Sequence, residues 1–196
     1  MALRGEWVPP QLADLLALQR AEEPETAVVL VECVAPSPAS ETSDSDFDFA
    51  LAPADLKWPG WVSEPLWHDT LAVGVAKRSH LLAYREVPRQ EVLEQPLIYA
   101  QSTAGEPWRT AVQNLFGEKP QHEQTVCTFD MAMTLVSAGY GIILAPATRL
   151  AGYACKDVVV RPLVGALRVV TAHLVRPCVD LTEQRARFAQ RARSVS

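Results

Sequence analysis

The sequence lacks the features of a membrane or secreted protein. None of its apolar runs approaches the roughly 20 residues that a membrane-spanning helix needs. The first segment, MALRGEWVPPQL, has one arginine, no apolar core and an early Pro-Pro pair, which is atypical of a signal peptide. We therefore expect a cytoplasmic protein that makes no contact with a membrane.

Motifs of catalysis and of metal or cofactor binding are missing as well. There is no G-x-S-x-G nucleophile elbow and no G-x-x-x-x-G-K-[ST] phosphate loop. Gly139 and Gly141 lack the third glycine of a dinucleotide fingerprint and precede a predicted strand rather than a helix. The histidines and cysteines show no C-x-x-C motif and no metal-ligand spacing, and Cys33 and Cys127 lie in apolar, strand-like runs. These observations predict inert thiols and a protein that is not an enzyme and holds no cofactor.

The chain has little positive charge. Its net charge of −5 argues against direct binding of nucleic acid, which requires a basic surface. Basic residues are concentrated near the C-terminus, where they are expected on the solvent-exposed face of a final helix: Arg185, Arg187, Arg191 and Arg193.

The most informative stretch is TFDMAMTLVSAGYGIILAP, residues 128–146. Thr128 and Asp130 are typical of a helix start, and the apolar residues Met131, Leu135 and Val136 recur at helical spacing. Gly139 tolerates the left-handed conformation that ends a helix, and the apolar residues 142–144 predict a buried strand. The stretch therefore predicts a short helix whose N-terminus is free to face a ligand, followed by a strand of a parallel sheet.

Strands and helices are predicted to alternate along the rest of the chain. The predicted strands span residues 27–34, 47–53, 70–77, 96–100, 124–127, 157–161 and 167–175. The first predicted helix follows Pro9-Pro10, and three more span 88–94, 106–116 and 147–152. The last predicted helix begins at a capping box, Asp180 to Glu183. This alternation is typical of an α/β protein with mainly parallel sheets.

Five segments resemble one known family over nearly the whole chain. The first is Gly5 with Leu12, Leu15-Leu16 and Pro24, and the second is DFAL at 48–51. The third runs from EPL at 64–66 to Asp69-x-Leu71, and the fourth comprises SHLLA at 79–83, Val87 and PLI at 96–98. The fifth is LVSAGYGI at 135–142. Their order and spacing resemble the effector-binding domain of LysR-type transcriptional regulators. The resemblance implies two Rossmann-like subdomains joined by two crossover strands, a fold similar to type 2 periplasmic binding proteins. The domain would span residues 1–196, with subdomain I at 1–54 and 146–196 and subdomain II at 62–140.

The same resemblance implies a site for a small effector, such as a carboxylate, between the subdomains. Free N–H groups at helix N-termini attract anions there. Three segments are expected to contact the effector: Trp7 and Val8, then Gln101, Ser102 and Thr103, then Thr128 and Phe129. Helix capping remains an alternative role for the three hydroxyl residues, and packing in the core remains one for Trp7 and Phe129.

Two segments depart from the family pattern. The first turn of the site holds Glu6, Trp7 and Val8 where members often carry Ser or Thr, which narrows the site or changes its charge. Residues 35–46 replace what is usually a helix with a segment that contains Pro36 and Pro38.

We thus predict a ligand-sensing domain that modulates transcription. The resemblance implies homodimers of this domain and tetramers of a full-length regulator, in which a helix-turn-helix domain, absent from this chain, binds DNA. We expect the chain to be an excised part of such a regulator. Two alternatives stay open: a solute-binding protein of a transporter, which would carry a signal sequence, and a sensor-only protein acting through mixed dimers.

Overall fold

The computed structural model of the chain describes residues 1–4, 8–33, 47–53, 55–100, 112, 116–117, 122–153, 156–165 and 170–195. They belong to two compact units: unit 1 comprises Met1–Trp67 with Thr171–Ser196, and unit 2 comprises His68–Val170. The strands described are β1 (Ala2–Arg4), β2 (Val31–Cys33), β3 (Ala50–Ala52), β4 (Trp61–Asp69), β5 (Leu71–Ala76), β6 (Leu97–Ala100), β7 (Glu123–Val126), β8 (Ile143–Pro146), β9 (Val158–Pro162) and β10 (Val170–Pro177). The α-helices described are α1 (Gln11–Glu22), α2 (Arg89–Leu93), α3 (Phe129–Ala138), α4 (Ala147–Gly152) and α5 (Glu183–Ser194).

The chain passes between the units twice, once within β4 and once within β10. This confirms the prediction of two crossover strands. Because β8, α4 and β9 pack with β5, residues 146–170 lie in unit 2, whereas the sequence-based boundary assigned everything from residue 146 onward to subdomain I.

A five-stranded sheet in the order β2, β1, β3, β10, β4 forms the centre of unit 1. β1 pairs in parallel with β2 and β3, and β10 pairs antiparallel with β3. The three residues of β3 are all buried, which is typical of a central strand. The predicted strands at 27–34 and 47–53 are shorter in the structure, where pairing begins at Val31 and at Ala50.

Helix α1 packs against α5 through an apolar face and an ion-pair network. Leu12 and Leu15 are buried as predicted, and Gln19 continues the same face. On α5, Arg191 is only 8% exposed. Its Nε donates to Glu22 at 2.5 Å and its Nη1 to Gln19 at 2.7 Å, and the third nitrogen, Nη2, lies 3.2 Å from Glu23.

The prediction that the C-terminal arginines form a solvated face is therefore wrong for Arg191, whereas Arg185, Arg187 and Arg193 are exposed as predicted but are also paired with carboxylates. Besides Arg191, Arg187 pairs with Glu23 and Glu183, Arg185 pairs with Asp48, and Arg193 contacts Glu64 at 2.5 Å. Glu183 lies one turn before Arg187 on the same helix, but the other partners, at the end of α1, on β4 and just before β3, are distant in sequence, so helical periodicity could not reveal them. The cap of α5 also differs from prediction, because Thr182 rather than Asp180 accepts from the Arg185 N–H.

The α1–α5 network predicts a specific loss of stability in acid. Hydrogen bonds from Arg191 and then Arg187 lower the pKa of Glu23 from 4.5 to about 2, although desolvation opposes this change. A carboxyl whose pKa is lowered in the folded state stabilises the protein above its unfolded pKa, and that contribution is lost as the pH falls through the folded pKa. We expect the urea midpoint of the wild type to fall more steeply between pH 4.5 and 2 than that of Glu23→Gln. Equal slopes for the two proteins would contradict this, and Glu86→Gln, an exposed acid of unit 2, should retain the wild-type slope.

Unit 2 contains a three-stranded sheet in the order β8, β5, β9 and a parallel pair, β6 and β7. β5 is antiparallel to both of its neighbours, so the prediction of mainly parallel sheets is wrong for this sheet. β8 and β9 run in the same direction and are connected through α4, which is the arrangement that strand–helix alternation predicts. The sequence pattern does not show that β5, which follows β4 after the single residue Thr70, lies between them.

The helices of unit 2 agree with prediction where they are described. Helix α3 ends at Gly139, whose φ of 84° is left-handed, and α4 spans the predicted residues. The buried face of α3 begins two residues earlier than expected: Phe129, Ala132, Met133 and Val136 are buried, whereas Met131 is 51% exposed. The predicted helix at 106–116 lies outside the described residues, apart from the helical residues Val112 and Phe116.

Candidate functional site

Two parallel strands of unit 2 end at the same edge, and this edge carries the candidate site. β6 and β7 pair in register from Leu97 opposite Glu123 to Ala100 opposite Val126. Gln101 follows the last residue of β6, and Cys127 and Thr128 connect the last residue of β7 to α3. The ends of parallel strands are a common location of ligand sites in α/β proteins.

Thr128 begins helix α3 as a cap. Its extended backbone (φ −130°, ψ 153°) turns its hydroxyl towards the helix, and Oγ1 accepts from the Met131 N–H at 3.2 Å. The side chain is exposed. The capping role is therefore real, and it leaves the second lone pair and the hydroxyl proton of Thr128 on the solvent side.

Phe129 is packed between two side chains of the segment that follows β8. Its ring meets Tyr153 edge to face at 5.4 Å, and the guanidinium carbon of Arg149 lies 4.1 Å from its centroid. The alternative role of Phe129 as a packing residue fits its exposure of 7%. Arg149 places a positive charge close to the N-terminus of α3, and both features favour an anion.

Sequence reasoning did not identify Arg149 or Tyr153. Along the chain, α3 and the whole of β8 separate each of them from Phe129, so no local sequence pattern connects them to it. The only sequence indication was their place in and just after a predicted helix that follows a buried strand.

A hydrogen-bonded clamp joins the end of β4 to the first turn of α4. The buried Asp69 carboxylate accepts from the Thr148 N–H at 3.2 Å and from its hydroxyl at 2.5 Å, and its other oxygen accepts from the Thr70 N–H at 2.7 Å. Satisfied in this way, Asp69 holds the helix that carries Arg149 against the start of β5. The clamp thereby positions the charge beside Phe129.

The other residues predicted to contact an effector are divided between the units and the undescribed segments. Val8 lies in unit 1, just before α1, and is 49% exposed. Trp7, Gln101, Ser102 and Thr103 lie outside the described residues. A shared site for the seven residues stays a prediction.

The described part of the chain shows no other obvious chemistry. No three His, Cys, Asp or Glu side chains within it are grouped as metal ligands. Cys127 and Cys178 are exposed free thiols, so the expectation that Cys127 behaves as a buried hydrophobe is wrong. No helix of the described residues has the length and apolarity needed to cross a membrane.

Comparison with known proteins agrees with this fold. The family description "LysR substrate binding domain" matches residues 6–195. A comparison with curated protein sequences found no significant match.

Solved structures of low sequence identity share the fold. The BenM effector-binding domain with its effector benzoate superposes with a TM-score of 0.85 at 20% identity, covering 99% of this chain and 89% of that one. The effector-binding domain of QuiR in complex with shikimate gives a TM-score of 0.76 at 19% identity, covering 98% and 93%. Full-length BenM gives 0.83 at 19% identity, and the match covers 99% of this chain but 65% of BenM, so the chain spans about two thirds of that protein.

The family match extends over almost the entire chain, and the structural likeness agrees with the two units and the two crossover strands. Both the predicted resemblance and the predicted fold class are confirmed. The chain belongs to the LysR substrate binding domain family.

Proposed function

We propose that this chain is the effector-sensing domain of a LysR-type transcriptional regulator and that its effector is a small anion, such as an aromatic or alicyclic carboxylate. The observation that carries the proposal is the N-terminus of α3, where the exposed Thr128 hydroxyl, the first-turn N–H groups and the Arg149 guanidinium lie at the edge on which β6 and β7 end. The related BenM and QuiR domains were solved with benzoate and with shikimate. Both of those ligands carry a carboxylate on a six-membered ring.

Side chains of both signs lie near the N-terminus of α3, and together they favour the binding of an anion. Asp130 in the first turn is negative, but it is exposed, and its backbone oxygen accepts from Thr134. Arg149 is partly buried on the Phe129 ring, where its charge is less screened by water than that of Asp130. Trp7, Val8 and the hydroxyl-bearing segment Gln101, Ser102 and Thr103 complete the proposed effector contacts.

In the proposed mechanism the effector binds one arrangement of the protein more tightly and shifts the population towards it. The change is transmitted to the oligomer, a dimer of this domain and a tetramer of the full-length regulator, whose separate helix-turn-helix domains bind DNA. The domain itself would be cytoplasmic and would carry out no catalysis.

A thermal-shift titration tests the effector class. Benzoate and shikimate are compared with benzamide, which has the shape of benzoate without its charge. A ligand at a hundred times its Kd stabilises the folded state by about 2.7 kcal/mol, so a true effector raises Tm by several degrees. Benzamide should produce a much smaller shift than benzoate if charge decides recognition.

Variants test the site itself. We expect Thr128→Val and Arg149→Gln each to weaken carboxylate binding about tenfold, because each removes roughly 1.4 kcal/mol of hydrogen-bonding or ionic interaction. Thr128→Val also removes a cap and lowers stability by about 1 kcal/mol without ligand, so the shift is measured relative to each variant's own Tm. Thr125→Val on the exposed surface of β7 is the matched control. Unchanged affinity in Thr128→Val, Arg149→Gln, Ser102→Ala and Thr103→Val would place the effector elsewhere.

A further inference from the structure

The crossover strand β4 is held at two neighbouring positions, one in each unit. Trp67 is the last residue of unit 1 on this strand, and Asp69, at the end of the strand, belongs to unit 2. Both side chains are buried. Only His68 separates them, and each residue has just two soft backbone dihedrals, so a movement of one side chain is transmitted to the other through few rotatable bonds.

In unit 1, β4 is held to the C-terminal end of α5. The Trp67 indole N–H donates to the Ala192 oxygen at 3.2 Å and to the Val195 oxygen at 3.1 Å. Earlier on the same strand, the Glu64 carboxylate accepts from the Arg193 guanidinium at 2.5 and 2.8 Å. Carbonyl groups at the end of a helix have no partner within it, so the position of this helix end depends on β4.

In unit 2, the end of β4 caps α4. Pro146, the residue before this helix, supplies no side-chain cap. The first N–H of the helix, that of Ala147, donates to the Thr70 oxygen at 2.8 Å. The second, that of Thr148, donates to the Asp69 carboxylate at 3.2 Å, and the Thr148 hydroxyl donates to it at 2.5 Å. A helix of six residues has little stability of its own, so its first turn depends on these bonds.

The same turn of α4 carries the charge of the proposed effector site. Arg149 follows Thr148 directly, and its guanidinium lies on the Phe129 ring beside the N-terminus of α3. An anion that binds Arg149 restrains the first turn of α4 and thereby favours its capped arrangement. Because Asp69 forms that cap, the restraint extends to the end of β4. A continuous series of contacts therefore leads from the proposed site to the end of α5.

We propose that Asp69 is a positioning residue that couples the proposed effector site of unit 2 to the C-terminal end of α5 in unit 1. This inference rests on the proposed function, since the coupled ligand is the carboxylate that binds Arg149. Asp69 acts through Thr148 and through the backbone of β4. Coupling is reciprocal: a bound carboxylate strengthens the contacts of Trp67 with α5, and weaker Trp67 contacts lower the affinity for the carboxylate.

Hydrogen exchange of the Trp67 indole N–H tests the coupling without any ligand. Its signal is the one that Trp67→Phe removes from the five tryptophan signals. Thr148→Val removes the hydroxyl bond to Asp69 and should speed the exchange about threefold, since one lost hydrogen bond changes a local equilibrium about fivefold when fully transmitted. Thr148→Ser keeps the hydroxyl and should retain the wild-type rate. Unchanged exchange in Thr148→Val would overturn the proposal.

Gly139→Ala controls for loss of stability as such. It strains the left-handed backbone of unit 2 at a φ of 84°, and a Cβ atom at this position would have no other atom within 4 Å. The Trp67 indole should exchange at the wild-type rate in this variant. An acceleration equal to that of Thr148→Val would mean that Trp67 responds to any weakening of unit 2, and the specific role of Asp69 would be refuted.

Saturating benzoate tests the effect of the ligand. In the wild type it should slow the exchange of the Trp67 indole about threefold and leave that of the Leu51 amide, on β3, unchanged. In Asp69→Asn, benzoate at a higher concentration should still raise Tm but no longer slow the Trp67 indole. Slowing that persists in Asp69→Asn would contradict the proposal.

The two arms separate this inference from the proposed function. If benzoate binds the wild type and the Trp67 indole responds neither to it nor to Thr148→Val, the coupling is refuted and the proposed function stands. If Thr148→Val speeds the exchange but no carboxylate binds, the coupling between α4 and α5 is supported and the proposed effector class is refuted.

Discussion

Gly141→Ala is expected to destabilise the protein by about 3 kcal/mol, at the upper end of the range for overpacked positions. A Cβ atom on Gly141 would lie 2.4 Å from the Pro96 carbonyl oxygen and 3.2 Å from the Ile98 side chain. The Pro96 oxygen cannot move freely, since it accepts from the Ile142 N–H at 2.9 Å, and the Ile98 N–H donates to the Ile142 oxygen at 2.9 Å. Adding one methyl group would therefore break the bridge that joins β6 to the start of β8.

Two other glycines are matched controls for Gly141→Ala in urea unfolding followed by circular dichroism. Gly139 has open space around its Cβ position but a φ of 84°, so Gly139→Ala should cost about 1 kcal/mol of left-handed backbone strain. Gly152 has open space and ends a helix, so Gly152→Ala should change stability by no more than about 0.5 kcal/mol. A Gly141→Ala variant no less stable than Gly139→Ala would show that the close approach to Pro96 is relaxed in solution.

Trp67→Ala is expected to cost about 4 kcal/mol, which is typical of removing a large buried aromatic side chain. The Trp67 ring, on β4, is 4% exposed. Its indole N–H donates to the Ala192 oxygen at 3.2 Å and to the Val195 oxygen at 3.1 Å, which are carbonyls at the C-terminal end of α5. Trp67 therefore both fills the core of unit 1 and binds backbone oxygens that the helix itself leaves unsatisfied.

Trp67→Phe separates these two contributions. It retains most of the apolar area and removes the N–H, so we expect a loss of about 1 kcal/mol. Trp58→Phe is the control, because the Trp58 ring packs against Phe47 and Trp61 at the partly exposed start of β4 and should change stability by about 0.5 kcal/mol or less. If Trp67→Phe were as destabilising as Trp67→Ala, the two carbonyl contacts rather than the ring would hold α5 in place.

Features that depend on residues close together in the chain were readable from the amino-acid order. Thr128 and Gly139 bound α3 as predicted, because a cap and a left-handed glycine act within a single turn of helix. The strand after Gly141 and the limits of α4 were equally local. The order of the motifs was sufficient to identify the family and its two-unit fold.

Contacts between distant segments decided the rest. Whether an arginine of α5 faces water or a carboxylate depends on where α1 and β4 lie, which is why Arg191 is buried against Glu22 and Glu23 rather than solvated. The central place of β5 in its sheet and the position of Arg149 on Phe129 arise in the same way. Whether a side chain is buried and which group it pairs with depend on the residues around it in the folded structure. The sequence pattern predicts these properties only when those residues are also close in the chain.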